Sequence, residues 1–495
     1  MMNAKAEDLE RDLQEYSLWS ISEEKDNDKY APKGTASGGR WGPLAAFQHR
    51  YLYWSVIIFL SCYHVYTLVQ HNLEKENAWR PSSQHLFSTH GSPPSSVCGG
   101  DLEDHSGIHM WPLCGTWQEE YKQKHALWRR QLAEFVRRGL LDQKTGLPVL
   151  VWEEGQPDAL PKILIFVCSS QEDGIPCGGL GDSLKGFTTS LLYSVIADRA
   201  VFLHWPAALS AFEPVEVDWT LPDGYVLPGN NSKTWGDVEK RGEDVVILNL
   251  INREMLTFPE MHELIGDTRI AIVRFNKGRV ITWLHDHPAI HEQVGLTPPY
   301  AWGCLNRFLM RVKDEVSRPY NAIARQLEDP ETFSVCVHIR LNDEAMMGQR
   351  RGDLEKQLQL YMECVQSLMS YWMTPACKRS RIFLISSSYE LKQLALANTT
   401  QVLTTAIKPA HIDHPGAAAA AMASTVAEWD LYSRCNMYVF ETSGLSVTAS
   451  AYGLRPLSSY VMPRDFMANR EVMQKMCVPW HPTARSDVAN SWGGL

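Results

Sequence analysis

This sequence predicts an α/β fold with two Rossmann-like halves facing across a cleft, and three observations carry that prediction. Short apolar runs such as "ILIFVC", "FSVCVHI" and "RIFLIS" have the length and composition of strands buried on both faces. Segments with helical apolar spacing stand between them, so the strands must be joined by crossovers and lie parallel. Loops rich in glycine, charge or hydroxyls follow several strands, at the carboxyl ends where open parallel sheets bind ligands. The chain has 495 residues, 44% hydrophobic and 21% charged, which suits a globular protein with room for two or three domains. A net charge of -10 argues against a nucleic-acid partner.

Residues 51–70, "YLYWSVIIFLSCYHVYTLVQ", contain no Asp, Glu, Lys or Arg, and the uncharged stretch extends from Arg50 to Glu74. A bilayer-spanning helix needs roughly 20 such residues, and the aromatics at the start suit a membrane interface. Lys33, Arg40 and Arg50 precede the segment, while Lys75 and Arg80 follow it, which places the N-terminus in the cytosol. Two glycosylation sequons (Asn230-Asn231-Ser232 and Asn398-Thr399-Thr400) lie beyond the segment, as do ten of the eleven cysteines, an even number compatible with disulfides. The expectation is a single-pass type II protein: a cytosolic tail over 1–50, a transmembrane signal-anchor over 51–70 and a stem over 71–115. The stem is rich in Ser, Pro, Gly and His, and its Cys98 and Cys114 are spaced to close a small loop.

The N-terminal α/β half is expected over 116–329. Thr116 and Glu119 match a capping box, and Trp117, Tyr121, Trp128, Leu132 and Phe135 repeat at helical spacing up to a stop at Gly139. "KILIFVC" then reads as a strand, "CGGLGDSLKG" as a loop, and Leu184, Phe187, Leu191 and Val195 as a helical stripe leading to the strand "AVFLHW". Between about 206 and 300 only "DVVILNL" and "RIAIVRF" read clearly as strands. The C-terminal half, 330–495, alternates plainly. The strands "FSVCVHI", "RIFLIS", "QVLTT" and "NMYVFE" are separated by helices starting near Leu354, Tyr389 and Gly416, and another helix follows at "LSVTASAYG".

Three strand-end loops are candidates to carry chemistry, although taken singly they also read as a tight turn with an N-cap Asp, an Arg-Asp pair that ties a loop, and ordinary Ser/Thr capping. In the first, Gly178, Gly179 and Gly181 allow close backbone approach, and Asp182 is placed to cap a helix whose N-terminus favours anions. The second, "VHIRLND", offers Arg340 as a bidentate diphosphate clamp, flanked by His338 and Asp343. The third, "FETSGLSVTASAYG", crowds Thr442, Ser443 and Ser446 at a strand-to-helix turn suited to phosphate oxygens.

In this order, "GGLGDSLKG", "VHIRLND" and "DLYSRCNMYVFETSGLSVTASAYG" resemble the GDP-fucose-dependent fucosyltransferases of the α1,2, α1,6 and protein O-fucosyl superfamily. The resemblance covers about residues 160 to 460 and extends to the type II topology of Golgi members. It implies a GT-B arrangement and inverting transfer of L-fucose from GDP-fucose to a hydroxyl of a glycan or glycoprotein. Under it, Arg340 binds the β-phosphate and stabilises the leaving GDP, and His338 and Asp343 support it. Thr442, Ser443 and Ser446 hold phosphates, while Gly179, Gly181 and Asp182 line the acceptor side, with Asp182 as the nominated base. No metal or other cofactor is implied, because arginine supplies the positive charge. The implied setting is the Golgi membrane, or the ER, with a lumenal catalytic domain. Three departures stand out: Ser183 where the family has Arg, leaving Lys185 to serve; Ser388 where an acid is common; and Leu341-Asn342 in the second loop. They keep open a non-catalytic glycan- or nucleotide-binding protein on the same fold, or a transferase using another nucleotide sugar.

Rival enzyme classes fit less well. The one Asp-x-Asp pair, Asp26-Asn27-Asp28, lies on the cytosolic side of the span, away from any lumenal metal-held donor. A sulfotransferase needs a basic residue within its phosphate loop, whereas Lys185 falls inside the helix. His285, His287 and His291 match no ligand spacing and read as a solvated loop.

Overall fold

The strand that opens the first βαβ unit, β1 (Ile163–Val167), is buried at every position, as an unbroken run of Ile, Leu, Phe and Val requires. It belongs to a computed structural model that describes Cys98 and residues 111–142, 160–168, 177–227, 238–241, 244–251, 256–341, 354–407, 419–441, 443–454 and 459–462, together with Cys477. All of these residues belong to one compact unit, Pro93–Leu495. The expected tail and membrane segment, most of the stem, Asp343 and Thr442 lie outside them. Among the described residues no helix is long and apolar enough to cross a membrane.

Among the described residues two helices precede β1, α1 (Trp111–Cys114) and α2 (Trp117–Arg137). Helix α2 buries Trp117, Tyr121, Leu132 and Phe135 as expected, and ends before Gly139, whose φ of 67° only glycine adopts readily. It also buries His125, which the stripe omitted; its Nε2 meets the Val201 carbonyl at 2.8 Å. The expected capping box is not formed. Thr116 is the N-cap, but its φ of -113° and ψ of 2° turn the hydroxyl away from the first-turn amides.

After β1 come α3 (Leu180–Ile196), β2 (Ala200–His204), the short β3 (Phe212–Pro214), β4 (Val238–Arg241) and β5 (Val245–Asn249). Helix α4 (Phe258–Ile265) does start with a capping box, Thr257 with Glu260, and leads to β6 (Ile270–Arg274). Helices α5 (Val280–Asp286), α6 (Pro288–Val294) and α7 (Pro298–Leu309) follow, then β7 (Met310–Val312), α8 (Asp314–Ser317) and α9 (Asn321–Leu327). Strands order as β2-β1-β6-β5-β4, parallel apart from β4, and β3 pairs with β7 separately.

The C-terminal part alternates as read: β8 (Thr332–Ile339), α10 (Leu354–Trp372), β9 (Arg379–Ser386), α11 (Tyr389–Asn398), β10 (Val402–Leu403), α12 (Ala419–Tyr432), β11 (Met437–Glu441), α13 (Gly444–Tyr452) and β12 (Ser459–Met462). These strands form an all-parallel sheet of order β10-β9-β8-β11-β12.

Each sheet has its own outer core, one around Ile163, Ile165 and Phe135, the other around Val335, Leu384 and Tyr361. Their inner faces share a third, continuous core, in which Phe166 and Val273 belong to the same cluster as Phe383 and Phe440. Helices α3, α7, α12 and α13 contribute to that shared layer. Gly303 of α7 approaches α13 so closely that a Cβ there would stand 2.1 Å from the Ala451 carbonyl oxygen.

Four disulfides fasten the unit: Cys98–Cys377, Cys114–Cys304, Cys336–Cys435 and Cys364–Cys477. The expected Cys98–Cys114 loop does not form. Cys114 ends α1, which packs on α7 beside Cys304, while Cys98 reaches the chain just ahead of β9.

Candidate functional site

In the second sheet the chain runs outward from β8 through β9 to β10, then returns to β11 and continues the other way to β12. Strand order therefore reverses between β8 and β11, which leaves a crevice at their carboxyl ends, the position where open α/β sheets bind ligands. His338 is the penultimate residue of β8, in register with Phe440 of β11, and Arg340 follows the last, Ile339. In the first sheet the reversal falls between β1 and β6, and the loop beyond β1 is the glycine stretch.

The two crevices are brought together at a contact between helix N-termini. A Cβ on Gly181 of α3 would lie 2.1 Å from the carbonyl carbon of Gly444 and 2.5 Å from the Leu445 nitrogen, at the start of α13. Only glycine at position 181 allows this approach. Gly178 supplies the turn before α3 with a φ of 88°, and Asn276, just past β6, lies against it. Gly179 is the N-cap and has open space around it.

Two of the nominated groups behave differently from expectation. Asp182 does not cap α3; it sits in the first turn, and its Oδ1 lies 3.4 Å from Nζ of Lys185. Lys185 cannot replace the missing arginine, because it is only 3% exposed and packed beneath Gly278 and Gly444. Burial pushes its pKa down, with Asp182 opposing the shift.

At the other crevice, Nδ1 of His338 and Oγ of Ser446 share a hydrogen bond. Ser446 is fully buried, and His338 stacks edge-on to Tyr432 with ring centroids 6.4 Å apart. Burial lowers the His338 pKa to about 3, with the nearby charges of Arg340 and Lys392 adding to the effect, so the ring is neutral. Ser443 is the buried N-cap of α13, and its side chain does not cap the helix. Arg340 is exposed, and among the described residues nothing pairs with its guanidinium.

What holds Arg340 was missed in the sequence. Ser386 Oγ donates to the Ile339 carbonyl at 2.8 Å. Ser387 Oγ accepts from the Leu341 amide at 3.0 Å and donates to the Leu341 carbonyl at 2.8 Å. The end of β9 therefore pins the backbone on both sides of Arg340. Ser388, noted above as a departure, is the N-cap of α11; it accepts from the Leu391 amide at 3.2 Å and donates to Glu390. A run of three serines at a strand end was the available signal. Glu441, at the end of β11, was also overlooked; it accepts from the Tyr361 hydroxyl at 2.7 Å.

The histidine group lies on a helical corner rather than a loop. His285 belongs to α5, His291 to α6, and His287 joins them, with His285 paired to Asp286. Among the described residues no group of three His, Cys, Asp or Glu side chains is arranged to hold a metal ion.

No protein-family model and no curated protein matches the sequence. Solved structures do match. A variant of Arabidopsis thaliana FUT1 in complex with GDP superposes with a TM-score of 0.50 at 13% identity, covering 70% of this chain and 79% of that one. The α-1,6-fucosyltransferase NodZ, soaked with GDP-fucose, gives a TM-score of 0.36 at 14% identity, covering 59% of this chain and 92% of that one. NodZ from Bradyrhizobium without a stated ligand gives 0.35 at 14% identity, covering 61% and 96%. The chain thus has a fucosyltransferase-like α/β fold with parallel sheets.

Proposed function

We propose that the protein is a glycosyltransferase that moves L-fucose from GDP-fucose to a hydroxyl of a glycan or glycoprotein, with inversion. The observation that carries this is the crevice between β8 and β11, where an exposed Arg340, without a partner among the described residues, has its backbone held by Ser386 and Ser387 beside a neutral His338 bonded to Ser446. An exposed guanidinium at a strand end can hold a diphosphate and stabilise the charge that grows on it as the glycosidic bond breaks. The neutral ring beside it adds no positive charge and keeps Ser446 oriented at the start of α13, whose N-terminus favours anions.

In the same proposal the two sheets are the halves of a GT-B transferase, the acceptor enters from the α3 side, and Asp182 draws the proton from its hydroxyl. Asp343 and Thr442 complete the donor loops. The arginine takes the role a metal plays in other transferases, and no cofactor is invoked. The uncharged segment 51–70 and the disulfides support a type II protein of the Golgi or ER membrane with its catalytic part in the lumen.

The pairing of Asp182 with Lys185 favours a second reading, a protein that binds a nucleotide or glycan without transfer, since a base engaged by an ammonium is a poor proton acceptor. One experiment separates them. Full-length protein is incubated with GDP-fucose, EDTA and a panel of glycans and glycoproteins, and GDP and fucosylated product are both measured. Product that Arg340→Ala abolishes supports transfer; tight GDP binding with no product from any acceptor supports the second reading.

A further inference from the structure

We infer that Cys168 and Cys177 are joined by a disulfide, beyond the four described, that ties the end of β1 to the entrance of the glycine turn. The two residues bracket 169–176. Cys168 follows β1 directly, its amide donating to the His204 carbonyl at 2.9 Å, and Cys177 precedes Gly178. The Sγ of Cys177 lies 3.7 Å from the carbonyl oxygen of Val167, the residue just before Cys168. The Cys177 sulfur thus lies beside the backbone that leads into Cys168; a disulfide asks for Cα atoms about 4.4–6.8 Å apart. Both sulfurs belong to one buried cluster, at 5% and 3% exposure. In this structure both are free thiols, and forming the bond would turn the Cys168 sulfur from its present neighbour, Ser183 Oγ at 3.4 Å, toward Cys177.

The redox setting points the same way. The other eight described cysteines form disulfides, so a chain with these bonds folds against an oxidising poise. Two thiols separated by so short a segment have a high effective concentration for each other. The reaction is thiol–disulfide exchange with an external disulfide, either glutathione disulfide or the active-site disulfide of an oxidoreductase. One cysteine thiolate attacks it and releases the first external thiolate. The other cysteine thiolate then displaces the second, so two thiols are oxidised, one external disulfide becomes two thiols, and two protons move from the cysteines to the leaving thiolates. Burial afterwards shields the bond from reductants. Its consequence is local: the chain entering Gly178, and with it the α3 N-terminus against Gly444, is anchored to the sheet.

The test is a disulfide map of the full-length protein made in a secretory host. The protein is unfolded without reductant in excess N-ethylmaleimide, digested and analysed by mass spectrometry. The expected result is a linked peptide pair containing Cys168 and Cys177, with neither residue alkylated. In Cys168→Ser, Cys177 becomes fully alkylated while the four described bonds persist. Alkylation of both cysteines in the wild-type protein, or either one bonded to another cysteine, overturns the inference; this wild-type result stands even if the variant fails to fold.

Discussion

Replacing Gly181 with alanine probes the contact that unites the two strand-end crevices. The new Cβ would stand 2.1 Å from the Gly444 carbonyl carbon, 2.3 Å from its oxygen and 2.5 Å from the Leu445 nitrogen. Relief from such contacts needs roughly 1 Å of movement, and all three atoms are backbone, so no side chain can swing aside. Overpacking of this kind costs about 1–3 kcal/mol. Alanine returns up to about 1 kcal/mol of helix propensity, though less in a first turn. Sterics therefore win, by about 1–2 kcal/mol, which corresponds to a Tm lower by about 2–6 °C. The functional loss is larger. Pushing the start of α13 by that distance displaces Ser443 and Ser446, and misplacements near 1 Å cost about 100-fold in rate. Gly179→Ala is the matched control, because nothing lies within 4 Å of its Cβ and its φ is -64°; losing glycine at an N-cap costs only a few tenths to about 1 kcal/mol. The assay is calorimetric melting with GDP titration of both variants. A Gly181→Ala protein that melts and binds like Gly179→Ala would refute the close approach.

Other perturbations have equally definite outcomes. Ser387→Ala removes both hydrogen bonds at Leu341, each worth about 0.5–1.5 kcal/mol of stability; Tm falls, and GDP affinity falls about 5- to 30-fold as Arg340 loses its support, as read by melting and titration, and an unchanged affinity would show that Arg340 needs no such support. The His338 pKa is lowered in the folded state, so its contribution is fully present above the unfolded value near 6.5 and is lost as pH falls from there toward about 3. Between pH 6.5 and 5 that loss is roughly 2 kcal/mol, and His338→Gln should flatten this part of the stability curve measured by denaturant unfolding; parallel curves would contradict the burial argument. Asn398 is exposed at the end of α11 with Thr400 two residues on, so a lumenal chain carries a glycan there. Endoglycosidase treatment should lower the mass of wild-type protein but not remove a glycan at this site from Asn398→Gln.

Parallel strands were the most legible part of the chain, because β1, β5, β6 and β8 are buried on both faces and are apolar at most positions. The short β3 and β7 were not legible; with three residues each they have no period, and they exist only because they pair with each other. Of the site, the loops and most of their residues could be read, since glycine and hydroxyl-rich turns after strands have local causes. The burial of Lys185 could not, because it comes partly from α13, more than two hundred residues away in sequence, whereas its pairing with Asp182 is local, three residues apart on α3. The serines behind Arg340 were visible as "SSS" but not as its support, which depends on β8 and β9 lying side by side. Disulfide partners were likewise a tertiary matter, and the bonds of Cys98 and Cys114 to Cys377 and Cys304 mean that a chain begun at residue 115 would lose both.

The central claim, a diphosphate held by Arg340, is tested most directly by calorimetric titration of the full-length protein in detergent with GDP, GDP-fucose and UDP-sugars, in EDTA. The account predicts selective guanine-nucleotide binding that weakens at least about 10-fold in Arg340→Ala, given about 1.5–3 kcal/mol for each hydrogen bond to a charged group. Binding of UDP-sugars in preference to GDP, or GDP affinity unchanged by Arg340→Ala, would contradict it.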